Sequence, residues 1–165
     1  MPFDRVSIQS EDFDLSTEVA RLRAQGSAGL ATGAVASFIG TVRERSPRPD
    51  EGQGVSMLEL EHYPGMTERA IEAMIDAAHA RFDILGARVV HRVGSLAPGA
   101  QIVLVVVASA HRREAFAACE FLMDYLKTQA PFWKKEHTPA GARWVDARVA
   151  DDAALERWGI EASNA

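Results

Sequence analysis

The chain has 165 residues, 47% of them apolar and 25% charged, which are the proportions of one compact, soluble domain with a real core. A formal net charge of −5 gives no global electrostatic case for nucleic-acid binding, and the single cysteine, Cys119, excludes an intrachain disulfide framework and a cysteine-based zinc site. The opening MPFDRVSIQSEDFD lacks the marks of a signal peptide, and the most apolar stretch, Ile102 to Ala110, is too short to span a bilayer, so a cytoplasmic protein is expected.

In chain order, Val6 to Gln9 reads as a short strand and Leu15 to Gln25 as a helix ended by Gly26. Gly33 to Val42 alternates small and larger apolar residues, which predicts a strand. Arg45 to Gly54 is rich in Pro, Gly and charge. It predicts a mobile surface loop rather than a domain boundary, because a strand over Val55 to His62 follows at once. Pro64-Gly65 turns the chain into a helix whose Ile71, Met74, Ile75, Ala78 and Phe82 recur at the 3.6-residue period. Strands are expected over Ala87 to Val93 and Gln101 to Ser109, joined by a turn at Pro98-Gly99. A helix from Arg112 to Lys127 should place Phe116, Cys119, Met123 and Leu126 inward, with Pro131 stopping it. Extended segments at Phe132 to Glu136 and Arg143 to Val145, then a polar helix after Asp151, complete the chain. Strands grouped in pairs between helices imply an α+β fold, a mostly antiparallel sheet packed against helices, with 1–165 as a single domain.

Acidic residues concentrate at Asp4 to Glu18 and Asp146 to Glu161, basic ones at Arg43 to Arg48 and His111 to Lys135. An acidic protein with focused basic spots suggests a pocket for a small anion or a docking site for an acidic partner. In Ser109-Ala110-His111-Arg112-Arg113 a buried strand runs into a helix, whose free N–H groups attract an anion. The same residues also read as a Ser109 cap followed by solvated first-turn cations. Lys127, at a helix end, either complements the helix dipole or joins a site. In the extended segment after Pro131, Phe132 and Lys134 share one face and Trp133 and Lys135 the other. One lysine could therefore stand beside an aromatic wall, where neighbouring cations or exclusion of water lower its pKa and make it a usable nucleophile or base. Arg43 reads as a strand-end charge or a ligand contact. Met123 and Cys119 read as core. His91-Arg92 receives no role, and no Walker, Rossmann, Ser-His-Asp or metal-ligand pattern occurs.

FIGTVR (Phe38 to Arg43), LELEHYPGM (Leu58 to Met66), HRVG (His91 to Gly94), SAHR (Ser109 to Arg112), MDYLKTQAPFWKKE (Met123 to Glu136) and RWVDAR (Arg143 to Arg148) together resemble the large, catalytic subunit of molybdopterin synthase, the MoaE family. The likeness spans roughly Gly33 to Arg148 with the motifs in one order. It implies a hammerhead-like α/β sandwich with a small extra β elaboration. It implies a sulfurtransferase of molybdenum cofactor biosynthesis, with no metal or organic cofactor. The implied sulfur donor is the C-terminal Gly-Gly thiocarboxylate of a small ubiquitin-like carrier, and the acceptor is cyclic pyranopterin monophosphate. A homodimer carrying two such carriers, a heterotetramer, is also implied.

By position, the resemblance makes Lys127 and Lys134 the catalytic pair. Lys127 stands beside the thiocarboxylate, and Lys134 assists proton transfer or holds the pterin. His111 and Arg112 become substrate-binding residues reaching in from the neighbouring subunit. Arg43 and Arg148 become further substrate contacts, and Met123 lines the pocket. Sulfur transfer to an anionic substrate needs cations for the phosphate and developing oxyanions, and a group that shuttles protons. The competing reading is a non-catalytic module that grips an anion or an acidic tail through the same basic residues.

Overall fold

The computed structural model describes residues 4–25, 28–44, 57–139, 141–145 and 149–161. Its elements are β1 (Val6–Gln9), α1 (Leu15–Arg23), α2 (Ala28–Ala31), β2 (Ala34–Thr41), β3 (Met57–His62), α3 (Met66–Arg81), β4 (Gly86–Arg92), β5 (Gly94–Leu96), β6 (Gln101–Ser109), α4 (Arg112–Gln129), β7 (Phe132–Thr138), β8 (Gly141–Val145) and α5 (Val149–Glu156). The short α2 and β5 were not expected from sequence, since three or four residues carry too little periodicity to register. The expected loop from Arg45 to Gly54 lies outside the described residues.

The strands form two four-stranded sheets, in the orders β1-β4-β6-β2 and β5-β3-β7-β8. Every pairing is antiparallel except β1 with β4, so the α+β class holds, with the strands divided between two sheets. The first sheet is covered on both faces. Val89, Val105 and Val107 pack under α3 and α4. Val90, Leu104 and Val106 pack beneath Leu22 of α1 and Phe13. Cover on both sides explains why β6 reads as an unbroken apolar run rather than an alternating one. Each such valine contributes roughly 1.5–3 kcal/mol by leaving water. Among the polar residues buried in this sheet, Arg88 ion-pairs with Glu18 of α1 and donates to the Asp4 carbonyl, tying the N-terminal segment to the sheet. The second sheet joins the first through Val42, Leu58, Leu60 and Leu96.

At Gly65 the backbone adopts φ +81°, open to glycine at no steric cost, and its N–H donates to Glu68 Oε2 at 2.6 Å as α3 begins. Proline after Ala130 ends α4 by holding that residue extended, at φ −74° and ψ 132°. One core assignment is corrected. Cys119, Met123 and Leu126 are buried in α4, but Phe116 is 68% exposed. The inward stripe runs Ala115, Ala118, Cys119, Leu122 and Leu126, and Phe116 lies to one side of it, turned to the surface. No helix among the described residues is long and apolar enough to cross a membrane.

Candidate active site

A cleft opens where the two sheets meet the C-terminal end of α4. Its walls are Phe38, Gly40 and Thr41 from β2, His91 from β4, Ile102 and Val103 from β6, Met123, Leu126, Lys127 and Ala130 from α4 and its end, and Phe132 and Lys134 from β7. About 630 Å³ of empty space lies within it, counting the open mouth. Gly40 and Thr41 both line it although neighbours on a strand normally face apart. The register of β2 against β6 shifts between these two residues, and that irregularity re-aims the strand end. A Cβ on Gly40 would stand 2.9 Å from Val103 Cγ1, so a larger residue would crowd the cleft wall.

The cleft brings together Met123, Lys127 and Lys134, which lie in two different elements of the chain. Lys127 sits in the last turn of α4, where its ammonium also complements the helix dipole. The β7 register puts Lys134 opposite Leu60, and strand alternation sends Phe132 and Lys134 to the cleft. Trp133 and Lys135 take the other face. Trp133 meets Tyr63 edge-on at 4.5 Å, and Lys135 Nζ lies 5.4 Å from the Trp144 ring centroid. Of the two neighbouring lysines, only Lys134 faces the cleft. No carboxylate is among the lining residues, so the cleft favours an anion. Among the described residues, no group of three or more His, Cys, Asp or Glu could hold a metal ion.

The other expected residues are placed elsewhere. His111 and Arg112 are exposed at the start of α4. Lys127 lies 15 residues beyond Arg112 in the same helix, about 22 Å along its axis. A single chain therefore does not bring His111 or Arg112 to the cleft. The helix cap also differs from expectation: His111 is the N-cap and makes no side-chain capping bond. Ser109 Oγ is buried instead, donating to the Asp83 carbonyl at 2.8 Å and accepting from the His111 N–H at 3.3 Å. Arg43 is exposed two residues past Thr41, beside the cleft without lining it. Arg148 lies outside the described residues.

One lining residue went unassigned in the sequence. His91 is buried, and its ring stacks on Phe132 at 3.8 Å and 19°. Burial, the opposing charges of Lys134 and Lys127, and His62 push its pKa down to about 3, although the bond to the Arg92 carbonyl acts the other way. A signal was present: His91 continues the inward set Ala87 and Val89 of β4, a position where an apolar residue is expected. Burial pushes the Cys119 thiol up to about 11, so it stays protonated and is no ready nucleophile at neutral pH.

Fold and cleft together define an α+β protein with an apolar-walled cleft lined by two lysines. The MoaE protein family model matches residues 8–129. The molybdopterin synthase catalytic subunit of Ralstonia nicotianae is 62% identical over 160 residues, 97% of this chain and 87% of that one. The solved MoaE protein of Burkholderia ambifaria superposes with a TM-score of 0.80 at 53% identity, covering 96% of this chain and all of the other. A molybdopterin synthase structure from Staphylococcus aureus gives a TM-score of 0.77 at 28% identity, covering 88% of this chain and 99% of that one. This chain belongs to the MoaE family.

Proposed function

We propose that the chain is the catalytic subunit of a molybdopterin synthase and that the cleft at the end of α4 is where sulfur is transferred. The observation that carries the reading is the convergence of Lys127 and Lys134 on one apolar-walled cleft whose lining holds no carboxylate. A thiocarboxylate tail brings negative charge to such a cleft and is attracted by it. Lys127 stands beside the carrier's terminal group and polarises it as sulfur leaves. Lys134, from β7, moves protons or holds the pterin. Met123 supplies apolar wall.

The carrier is a small ubiquitin-like protein with a C-terminal Gly-Gly thiocarboxylate, and the acceptor is cyclic pyranopterin monophosphate. Two transfers build the dithiolene of molybdopterin. The working unit is a cytoplasmic homodimer of this chain with two carriers. His111 and Arg112 belong to the neighbouring subunit's cleft. Their exposure at the far end of α4, with cations at a helix N-terminus that attracts anions, supports a phosphate contact made across a subunit interface. Arg43 and Arg148 add substrate contacts at the rim.

The test is reconstitution of this chain with a thiocarboxylated carrier and cyclic pyranopterin monophosphate, with molybdopterin as the readout. Product from the wild type that disappears in Lys127→Ala is the expected result. A folded protein that binds carrier and makes no product would leave the chain a binding module.

A further inference from the structure

His91 occupies a position in the cleft that neither lysine fills. Its Nδ1 lies 2.8 Å from the Arg92 carbonyl oxygen. A carbonyl only accepts, so Nδ1 carries the proton and Nε2 keeps its lone pair. Stacking on Phe132 covers one ring face and fixes the ring plane. No fully buried side-chain nitrogen or oxygen among the described residues lacks a partner, and Nε2 has none within the described protein. Nε2 therefore meets the space that the ring lines, which is the cleft. Burial, with the nearby charges of Lys134, Lys127 and His62, keeps the ring uncharged at neutral pH.

Besides the Thr41 hydroxyl, the cleft thus carries ammonium donors and one uncharged ring nitrogen that accepts. Cations suit the anionic parts of a ligand but repel or ignore its N–H donors. A pterin has ring and amino N–H groups as well as acceptors, and it is flat enough to lie along an aromatic wall. We propose that His91 is a substrate-binding residue whose Nε2 accepts a hydrogen bond from an N–H of the bound pterin. The inference deepens the synthase reading and rests on it. The Arg92 carbonyl and the Phe132 ring hold the acceptor in place before substrate arrives, so little ordering cost falls on binding.

The test compares wild type, His91→Phe and His91→Gln in the reconstituted reaction, measuring kcat, KM for cyclic pyranopterin monophosphate, and affinity for the carrier. Phe keeps a ring on Phe132 without an acceptor, whereas Gln places an amide oxygen near the Nε2 position. The expected result is a KM raised about tenfold in His91→Phe, largely restored in His91→Gln, with carrier affinity unchanged in both. If His91→Phe does not fold, His91→Gln against His91→Met makes the same comparison with two chains of similar shape. An unchanged KM in the variant without an acceptor overturns the proposal, and so does a loss confined to kcat or a defect equal in both variants. No product from the wild type overturns the synthase reading and this inference with it, whereas a productive wild type leaves the His91 result to stand alone.

Discussion

The two ends of α4 are both basic, yet they face different surroundings. At its C-terminal end Met123, Leu126 and Lys127 are walled in by β2, β6 and β7 of the same chain. At its N-terminal end His111, Arg112, Arg113 and the large apolar Phe116 face outward. The difference separates a basic end enclosed by its own chain from one left on the surface, where the proposed function places a contact with a second subunit. An exposed phenylalanine beside clustered cations is a surface that a second subunit would cover.

The proposals sharpen that contrast into measurable differences. The largest effect is expected for Lys127→Ala, which should lose product formation by at least about 100-fold while still folding and binding its carrier. Near-normal turnover would remove Lys127 from the mechanism. Arg112→Ala, at the other end of the helix, should raise KM for the pterin about tenfold or more. A change in stability alone would make it structural. Mixing Lys127→Ala with Arg112→Ala subunits then separates the two ends directly. If Arg112 serves the neighbouring cleft, each mixed dimer keeps one whole site and activity with the wild-type KM appears. If it serves its own, no dimer has a whole site and only the raised-KM activity of the Arg112→Ala subunits remains.

Smaller effects test the walls of the cleft. Lys134→Ala should lose most activity, whereas Lys135→Ala, on the opposite face of β7, should stay within about twofold of wild type. Equal losses would mean that strand alternation does not decide which lysine works. Acid titration of stability bears on His91. Its folded pKa lies below the unfolded value near 6.5. The unfolded chain therefore binds the proton first, and stability falls as pH drops from about 6.5 towards about 3, by up to about 1.4 kcal/mol for each pH unit. Chemical denaturation of wild type and His91→Phe across that range should show the variant losing less; parallel losses would refute the assignment. The smallest expected effect is that of Cys119→Ser, with turnover unchanged and a packing cost of about 1–2 kcal/mol. Abolished turnover in a folded Cys119→Ser protein would instead support a cysteine-dependent sulfurtransferase.

Much of the fold was legible because periodicity is local. Val6–Gln9 and Gln101–Ser109 were read to the residue, and α3 and α4 differ from their expected spans by a turn or less. The division of strands into two sheets was not legible, because pairing joins residues far apart, such as Met57 with His137. Phe116 was misplaced for a related reason: helical phase says which residues share a face, but not whether a neighbour covers it at that height. The site shows the same split. Motif resemblance marked Lys127, Lys134 and Met123, and alternation put Lys134 and Lys135 on opposite faces, but which of the two faces the cleft was read only from the structure. That His91 is a neutral acceptor depends on the carbonyl it meets, the ring it stacks on and the lysines around it. The sequence by itself determined the longer elements, the family and the candidate lysines, since these depend on residue type and short spacing. Only the tertiary structure decided which groups share the cleft and what charge His91 carries there, because burial and long-range contacts set both.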